Sequence, residues 1–163
     1  MTHPIWAPNI DTMDLRRFVA ESNRIEGINR RPLKREIDAH FAFLILKSIW
    51  PADVSHFVGI IAPHGLLRER EGMDVRVGNH VPPAGGHEIP ERLDTLMIRA
   101  RSLESPWAVH LAYETLHPYL DGNGRSGRAV WLWMMLNQGR DHAALRRGFL
   151  HSFYYQTLAE SRS

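Results

Sequence analysis

Residues 117–128 read HPYLDGNGRSGR. This window brings together one imidazole, one carboxylate, one amide, two arginines and three glycines. Gly122 and Gly124 permit positive φ and close approach of backbone to a ligand. They lead into a helix expected to begin near Ser126, whose free N–H groups and dipole form an anion site. Arg125 and Arg128 add forked, permanently charged donors suited to phosphate oxygens, on neighbouring faces of one turn. Asp121, a lone carboxylate at such a site, suits Mg²⁺, which takes oxygen ligands and keeps several waters. His117 ends the preceding helix and faces the same cavity. A histidine there can take a proton from a hydroxyl nucleophile, an effect of roughly 10²–10⁴ in rate. Pro118, Tyr119 and Leu120 read as the anchor, with Tyr119 and Leu120 packed inward. The window therefore reads as a phosphoryl or nucleotidyl transfer site. In the plainer alternative, Asp-Gly and Asn-Gly are turn pairs, Asp121 caps a helix and both arginines are solvated. The coincidence of all these groups favours the site. No Gly-Lys-Ser/Thr follows the glycines, which excludes a P-loop, and there is neither cysteine nor His-Glu-x-x-His to hold catalytic zinc.

Working outward, helical patterns dominate. Asp11 or Thr12 caps a helix to about Glu26, stopped by Gly27. Pro32 opens a second, with Leu33, Ile37, Phe41, Leu44, Ile45 and Ile49 at helical spacing, ended by Pro51. Asp53 caps a third to about Ile61. Residues 63–90 are rich in glycine and proline, with extended pieces DVRV (74–77) and HVPP (80–83), and read as a loop carrying an exposed hairpin. Helices resume over Pro90–Ser102 and from Ser105 and Pro106 to Leu116. Ser126–Asn137 reads as a buried helix because AVWLWMML (129–136) is apolar nearly all round. NQGRD (137–141) breaks the pattern, and a last helix runs from Ala143 to Ala159, interrupted near Gly148. The expectation is one mainly α domain over 1–163.

Composition agrees. The chain has 163 residues, 44% hydrophobic and 23% charged, which suits one globular domain. The absence of cysteine fits a reducing cytoplasm. MTHPIWAPNI lacks a basic region followed by an apolar run, so no secretory leader is expected, and the longest apolar runs are too short to span a bilayer. A cytoplasmic location is expected, with export as an effector left open. A net charge of +2 gives no call for nucleic acid.

HPYLDGNGRSGR resembles the signature of Fic-domain proteins, His-Pro-Phe-x-Asp/Glu-Gly-Asn-Gly-Arg-x-x-Arg. The one departure is Tyr119 for Phe, which keeps the aromatic ring and adds a hydroxyl needing a partner. The resemblance implies a mostly helical fold and transfer of AMP from ATP to a Ser, Thr or Tyr hydroxyl of a target protein. It implies that His117 is the base and that Asp121 holds Mg²⁺ between the α and β phosphates. Gly122, Asn123 and Gly124 would form the anion hole, with Arg125 on phosphate and Arg128 on the γ phosphate. The hairpin over about 74–83 would be a flap, with Val75, Val77, His80 and Val81 on an edge that pairs with an extended target segment.

A second stretch, SNRIEG (22–27), gains meaning from this. Leu15, Phe18, Val19, Ser22 and Glu26 share one helix stripe that begins apolar. Glu26 thus continues a buried face at a helix C-terminus, where the dipole disfavours an anion and a cationic partner is wanted. SNRIEG is similar to the family's inhibitory motif, Ser/Thr-x-x-x-Glu-Gly/Asn. The resemblance implies that residues 12–30 are an inhibitory helix before a Fic core of 31–163. Ser22 and Glu26 would then act on Arg128, with Glu26 in the space of the γ phosphate.

Trp131, Trp133, Met134 and Met135 read as core. Tyr154 and Tyr155 read as packing residues rather than an adenine pocket. His56, His64, His80, His87, His110, His142 and His151 show no metal spacing. Besides adenylyl transfer, the same site suits another Fic-type transfer, removal of AMP, or a nonenzymatic nucleotide-binding regulator. A homodimer that holds the first helix in place is compatible with the sequence.

Overall fold

A computed structural model describes residues 7–139 and 143–161. Eight helices follow one another among them: α1 Thr12–Ile25, α2 Lys34–Leu44, α3 Pro51–Ile61, α4 Glu88–Arg101, α5 Pro106–Leu116, α6 Asn123–Asn137, α7 Ala143–Arg147 and α8 Phe149–Ser161. The mainly α class is as expected. Helix α6 is the axis: it packs on α1, α2, α3, α4, α5 and α7. That is why Val130, Trp131, Leu132, Trp133 and Met134 are all buried along one apolar helix. The indoles find acceptors, Trp133 Nε1 donating to the Leu46 carbonyl at 2.8 Å and Trp131 Nε1 to Gln156 Oε1 at 3.0 Å.

Local chemistry sets the helix ends. Asp11 Oδ1 accepts from Asp14 N at 2.9 Å, and Ser105 Oγ from Ala108 N at 3.2 Å. Gly27 takes φ +77° after α1, and Gly148 takes φ +82° between α7 and α8. Four boundaries differ from expectation. Helix α2 stops at Leu44, well before Pro51. The 45–50 loop instead gives carbonyls to partners, Leu46 to Trp133 and Ile49 to Arg101 Nη1 at 2.7 Å, and Pro51 opens α3. Asp53 accordingly sits inside α3 and reaches back to Trp50 N at 2.8 Å. Helix α4 begins at Glu88, with Pro90 in its first turn, where the missing N–H is harmless. Helix α6 begins at Asn123, because Gly122 at φ +85° turns the chain straight into it.

The buried face of α2 is also not the apolar stripe expected. It carries Glu36 and His40 beside Ala39, Phe43 and Leu44, while Ile37 and Phe41 are only partly buried. Glu36 is buried because it ties elements together. Its carboxylate accepts from Asn23 Nδ2 on α1 at 3.2 Å, Leu33 N at 2.7 Å, and Arg30 at 2.7 and 3.1 Å. Burial pushes this carboxyl up, but the hydrogen bonds from Arg30 and Leu33 outweigh it and bring it down to about 2.

The hairpin contracts to a single bridged pair. Val77 N donates to His80 O at 3.0 Å and His80 N to Val77 O at 2.9 Å around Gly78-Asn79. Pro82 and Pro83 then remove the donors a longer ladder needs. Among the described residues no regular strand forms.

Candidate active site

The site is assembled where α5 ends and α6 begins. His117 caps α5 in the left-handed region, φ 51° and ψ 64°, a strained conformation for a residue with a Cβ. It is held there by its N–H on Tyr113 O at 2.9 Å and by its carbonyl, which accepts from Arg68 Nε at 2.7 Å. Burial lowers the imidazole pKa, the Glu114 backbone opposes this, and Arg68 and His80 lower it further. His117 is thus favoured in its neutral, proton-accepting form.

Residues 118–122 are tightly held. Arg68 N donates to Pro118 O at 3.0 Å and Leu120 N to Leu66 O at 2.9 Å. Asn123 closes the turn from the other side: Oδ1 accepts from Tyr119 N at 2.8 Å and Nδ2 donates to Tyr119 O at 2.7 Å. Its side chain is therefore spent on the loop, and only its main chain can serve an anion. Tyr119 is buried, and its hydroxyl finds a partner in Ser55 Oγ at 2.7 Å. Leu120 is 38% exposed and so does not pack inward as expected: the chain alternates sides as it pairs with residues 66–68.

The first intrahelical bond at this end of α6 runs from Ser126 N to Gly122 O, 2.9 Å. The N–H groups of Asn123, Gly124 and Arg125 precede it and form the open helix N-terminus. Asp121, 59% exposed, stands beside it, with Oδ1 accepting from Gly122 N at 2.8 Å and facing Arg125 Nη2 at 3.8 Å. Arg125 is buried, its Nη1 donating to Ile61 O at 2.9 Å at the end of α3.

Arg128 is buried against α1. Nε donates to Ser22 Oγ at 2.8 Å, Nη2 to Ser22 O at 2.9 Å, and Nη2 to Glu26 Oε1 at 2.7 Å. The Glu26 carboxylate also lies directly over Gly124: a Cβ built there would collide with Oε1 and stand 3.0 Å from Arg128 Nη1. The motif and SNRIEG, far apart in sequence, thus meet at one point, the N-terminus of α6.

Residues 43–135 match the family model described as Fic/DOC. The chain belongs to the Fic/DOC family. It is a transferase of the Fic type. The matched span contains the 117–128 motif and the 74–83 segment, while α1 with Ser22 and Glu26 precedes it. A search of curated proteins finds no match.

Other residues of this Fic protein fall as follows. Val77 and Val81 are exposed, Val75 is half-buried, and His80 Nε2 lies 2.9 Å from Thr115 O, tying the 77–80 turn to α5. Trp131, Trp133 and Met134 are core and Met135 packs on it, whereas Tyr154 and Tyr155 are solvent-exposed on α8 rather than packed. Among the described residues no group of three His, Asp or Glu side chains could hold a metal; His142 lies outside them. No helix there is long and apolar enough to cross a membrane.

Two residues escaped the sequence reading. Arg68 sits in the string RERE, which looks like a solvated loop. Glu114, one turn before His117, is largely buried against Gly127, where an added Cβ would strike its Oε1. Burial pushes its carboxyl up to about 7, against Arg128 and with Glu26.

Proposed function

We propose that this Fic protein is a self-inhibited protein adenylyltransferase that moves AMP from ATP to a Ser, Thr or Tyr hydroxyl of a target protein. One observation carries the reading: the Glu26 carboxylate lies over the α6 N-terminus, paired with Arg128, within the same motif as His117, whose pKa burial lowers. A carboxylate paired with Arg128 at a helix N-terminus supports reading this position as one for negative charge.

With Glu26 displaced, the main-chain N–H groups of Asn123 and Gly124 take phosphate oxygens, the Gly122 N–H being held by Asp121, while Arg125 adds charge and Arg128 holds the γ phosphate. His117 takes the proton of the target hydroxyl as its oxygen bonds to the α phosphorus. The bond from that phosphorus to the β-bridging oxygen breaks, and pyrophosphate leaves. Asp121, an exposed carboxylate beside the α6 N-terminus, would hold Mg²⁺, and the ion would supply neutralising charge to the phosphates. The 74–83 flap, with Val77, His80 and Val81 exposed and Val75 half-buried, offers its edge to an extended target segment. With Glu26 in place, Arg128 cannot serve the γ phosphate. A hydrogen bond to a charged group is worth roughly 1.5–3 kcal/mol, which lowers the competent ATP-bound population about 10–100-fold.

The test incubates wild type, Glu26→Gly and Glu26→Gly/His117→Ala with Mg²⁺ and ATP labelled with ³²P at either the α or the γ position, in cell lysate. The reading expects protein label from α only, strong with Glu26→Gly and lost with His117→Ala. Label from γ overturns adenylyl transfer in favour of phosphate transfer. Label from neither favours another nucleotide, AMP removal or a binding role.

A further inference from the structure

Arg68 lies wholly buried between α3 and α4, and among the described residues it forms no salt bridge. A buried cation is normally paired with an anion, because its desolvation is costly. Here its side-chain hydrogen bonds all go to main-chain carbonyls. Nε donates to His117 O at 2.7 Å and Nη2 to Leu116 O at 3.0 Å. Nη1 donates to Pro83 O at 2.8 Å and Met73 O at 3.1 Å. Two of these carbonyls are the last of α5, where the helix dipole favours a cation. The other two flank the 74–83 flap, one at each root. The Arg68 main chain continues the same seam, with its N–H on Pro118 O and its carbonyl accepting from Gly86 N, both at 3.0 Å.

One planar group therefore fixes three things at once: the end of the helix that bears His117, the entry to the flap and its exit. The four acceptors match the fork of a guanidinium and exceed the three donors of an ammonium group. His117 itself needs such support, since its left-handed backbone is strained.

We propose that Arg68 is a positioning residue, a clasp that sets the distance between the His117 imidazole and the flap edge on which a target segment lies. The proposal rests on the reading of His117 as base and of 74–83 as flap. Arg68 acts on His117 in two separable ways. Its fork fixes geometry, and its charge joins burial and His80 in lowering the imidazole pKa, against the Glu114 backbone and Glu26.

The test uses the full chain carrying Glu26→Gly, alone and with Arg68→Lys or Arg68→Met. Three quantities are read: amide exchange over 74–83, the NMR titration of the His117 imidazole, and label transferred from α-³²P-ATP to lysate protein. Arg68→Lys keeps the charge and loses the fork. It should leave the His117 titration near the parent's, speed flap exchange, and lower transfer about 10–100-fold, the scale of a misplaced reacting group. Arg68→Met should do the same and also raise the His117 pKa. Neither should change MgATP affinity, because Arg68 touches no group at the α6 N-terminus. If Arg68→Met does not fold, Arg68→Lys decides alone. Flap exchange and transfer in Arg68→Lys indistinguishable from the parent would overturn the clasp. A parent that transfers no label, with flap exchange still accelerated by Arg68→Lys, sinks the adenylyltransferase reading and leaves the clasp standing.

Discussion

Two loops flank the candidate base, and they are built in opposite ways. Residues 118–122 are sewn to the 66–68 segment by main-chain bonds, to Asn123 by a two-ended amide, and to Ser55 by a buried hydroxyl. The 77–80 turn has one bridged pair of its own and one contact from His80 to α5, with Val81 67% exposed. The difference separates two tasks. Groups that handle phosphate need fixed positions on a rigid backbone, because small displacements lose much of the rate. A main-chain edge that accepts an extended partner gains from staying open and adaptable. Glycine serves both loops, but the first fills its space with buried side chains and the second leaves it to solvent.

The largest expected effect lies on the rigid side. His117→Ala should lower transfer by about 10²–10⁴ with thermal stability close to wild type, since the half-buried imidazole meets only the Glu114 backbone and the loop is held by its main chain. An unchanged rate would remove His117 from the chemistry. Next comes Asn123→Ala, which leaves the buried N–H and C=O of Tyr119 without partners. At about 1–3 kcal/mol for each orphaned group, the melting temperature should fall by several degrees and transfer with it. An Asn123→Ala protein as stable as wild type would show that the loop is not held as described.

Glu114 probes the seam behind the base. Its carboxyl stands at about 7 against an ordinary 4.5, from burial foremost. Between those values the folded protein keeps a proton that the unfolded chain has released, so stability declines as pH rises through this window. Glu114→Gln should therefore gain in melting temperature over wild type at pH 8 and lose that advantage at pH 5. On the acid side, buried His40 and His110, both lowered to about 4 from 6.5, make wild type and variant alike less stable as pH falls through that range. A wild-type-to-variant difference that does not change with pH would mean that Glu114 is already charged. The smallest effect belongs to the flap. Val81→Ser should move stability by no more than about 0.5 kcal/mol, as for other exposed sites, while raising KM for a protein target and leaving MgATP affinity untouched. A loss of stability instead would turn the flap into a structural element.

Much of this was legible before any coordinates. The apolar run of α6, the proline opening α5, and the glycines closing α1 and α7 are local signals, and each acts locally, whereas Pro51, read as the end of α2, opens α3 instead. HPYLDGNGRSGR carries the family signature, and the family match spans it. The stripe is buried from Leu15 to Ser22, but Glu26, expected on that buried face, is exposed at the end of α1 and meets Arg128 there. What was not legible depends on partners distant in sequence. Glu36 breaks the apolar face of α2 only because Arg30 and Asn23 arrive to meet it. Asn123 looks like an anion-hole residue until its amide is seen closing on Tyr119. Arg68 looks like surface charge because its acceptors are carbonyls, which carry no side-chain signature.

The central claim is that Glu26 stands in the place of a phosphate and holds Arg128 away from it. Its most direct test is the initial rate of AMP transfer at saturating MgATP, wild type against Glu26→Gly, with a working target. The account predicts a rate about 10–100-fold higher for Glu26→Gly, abolished when Arg128→Ala is added, because Arg128 is also needed for ATP. Equal rates for wild type and Glu26→Gly would contradict it.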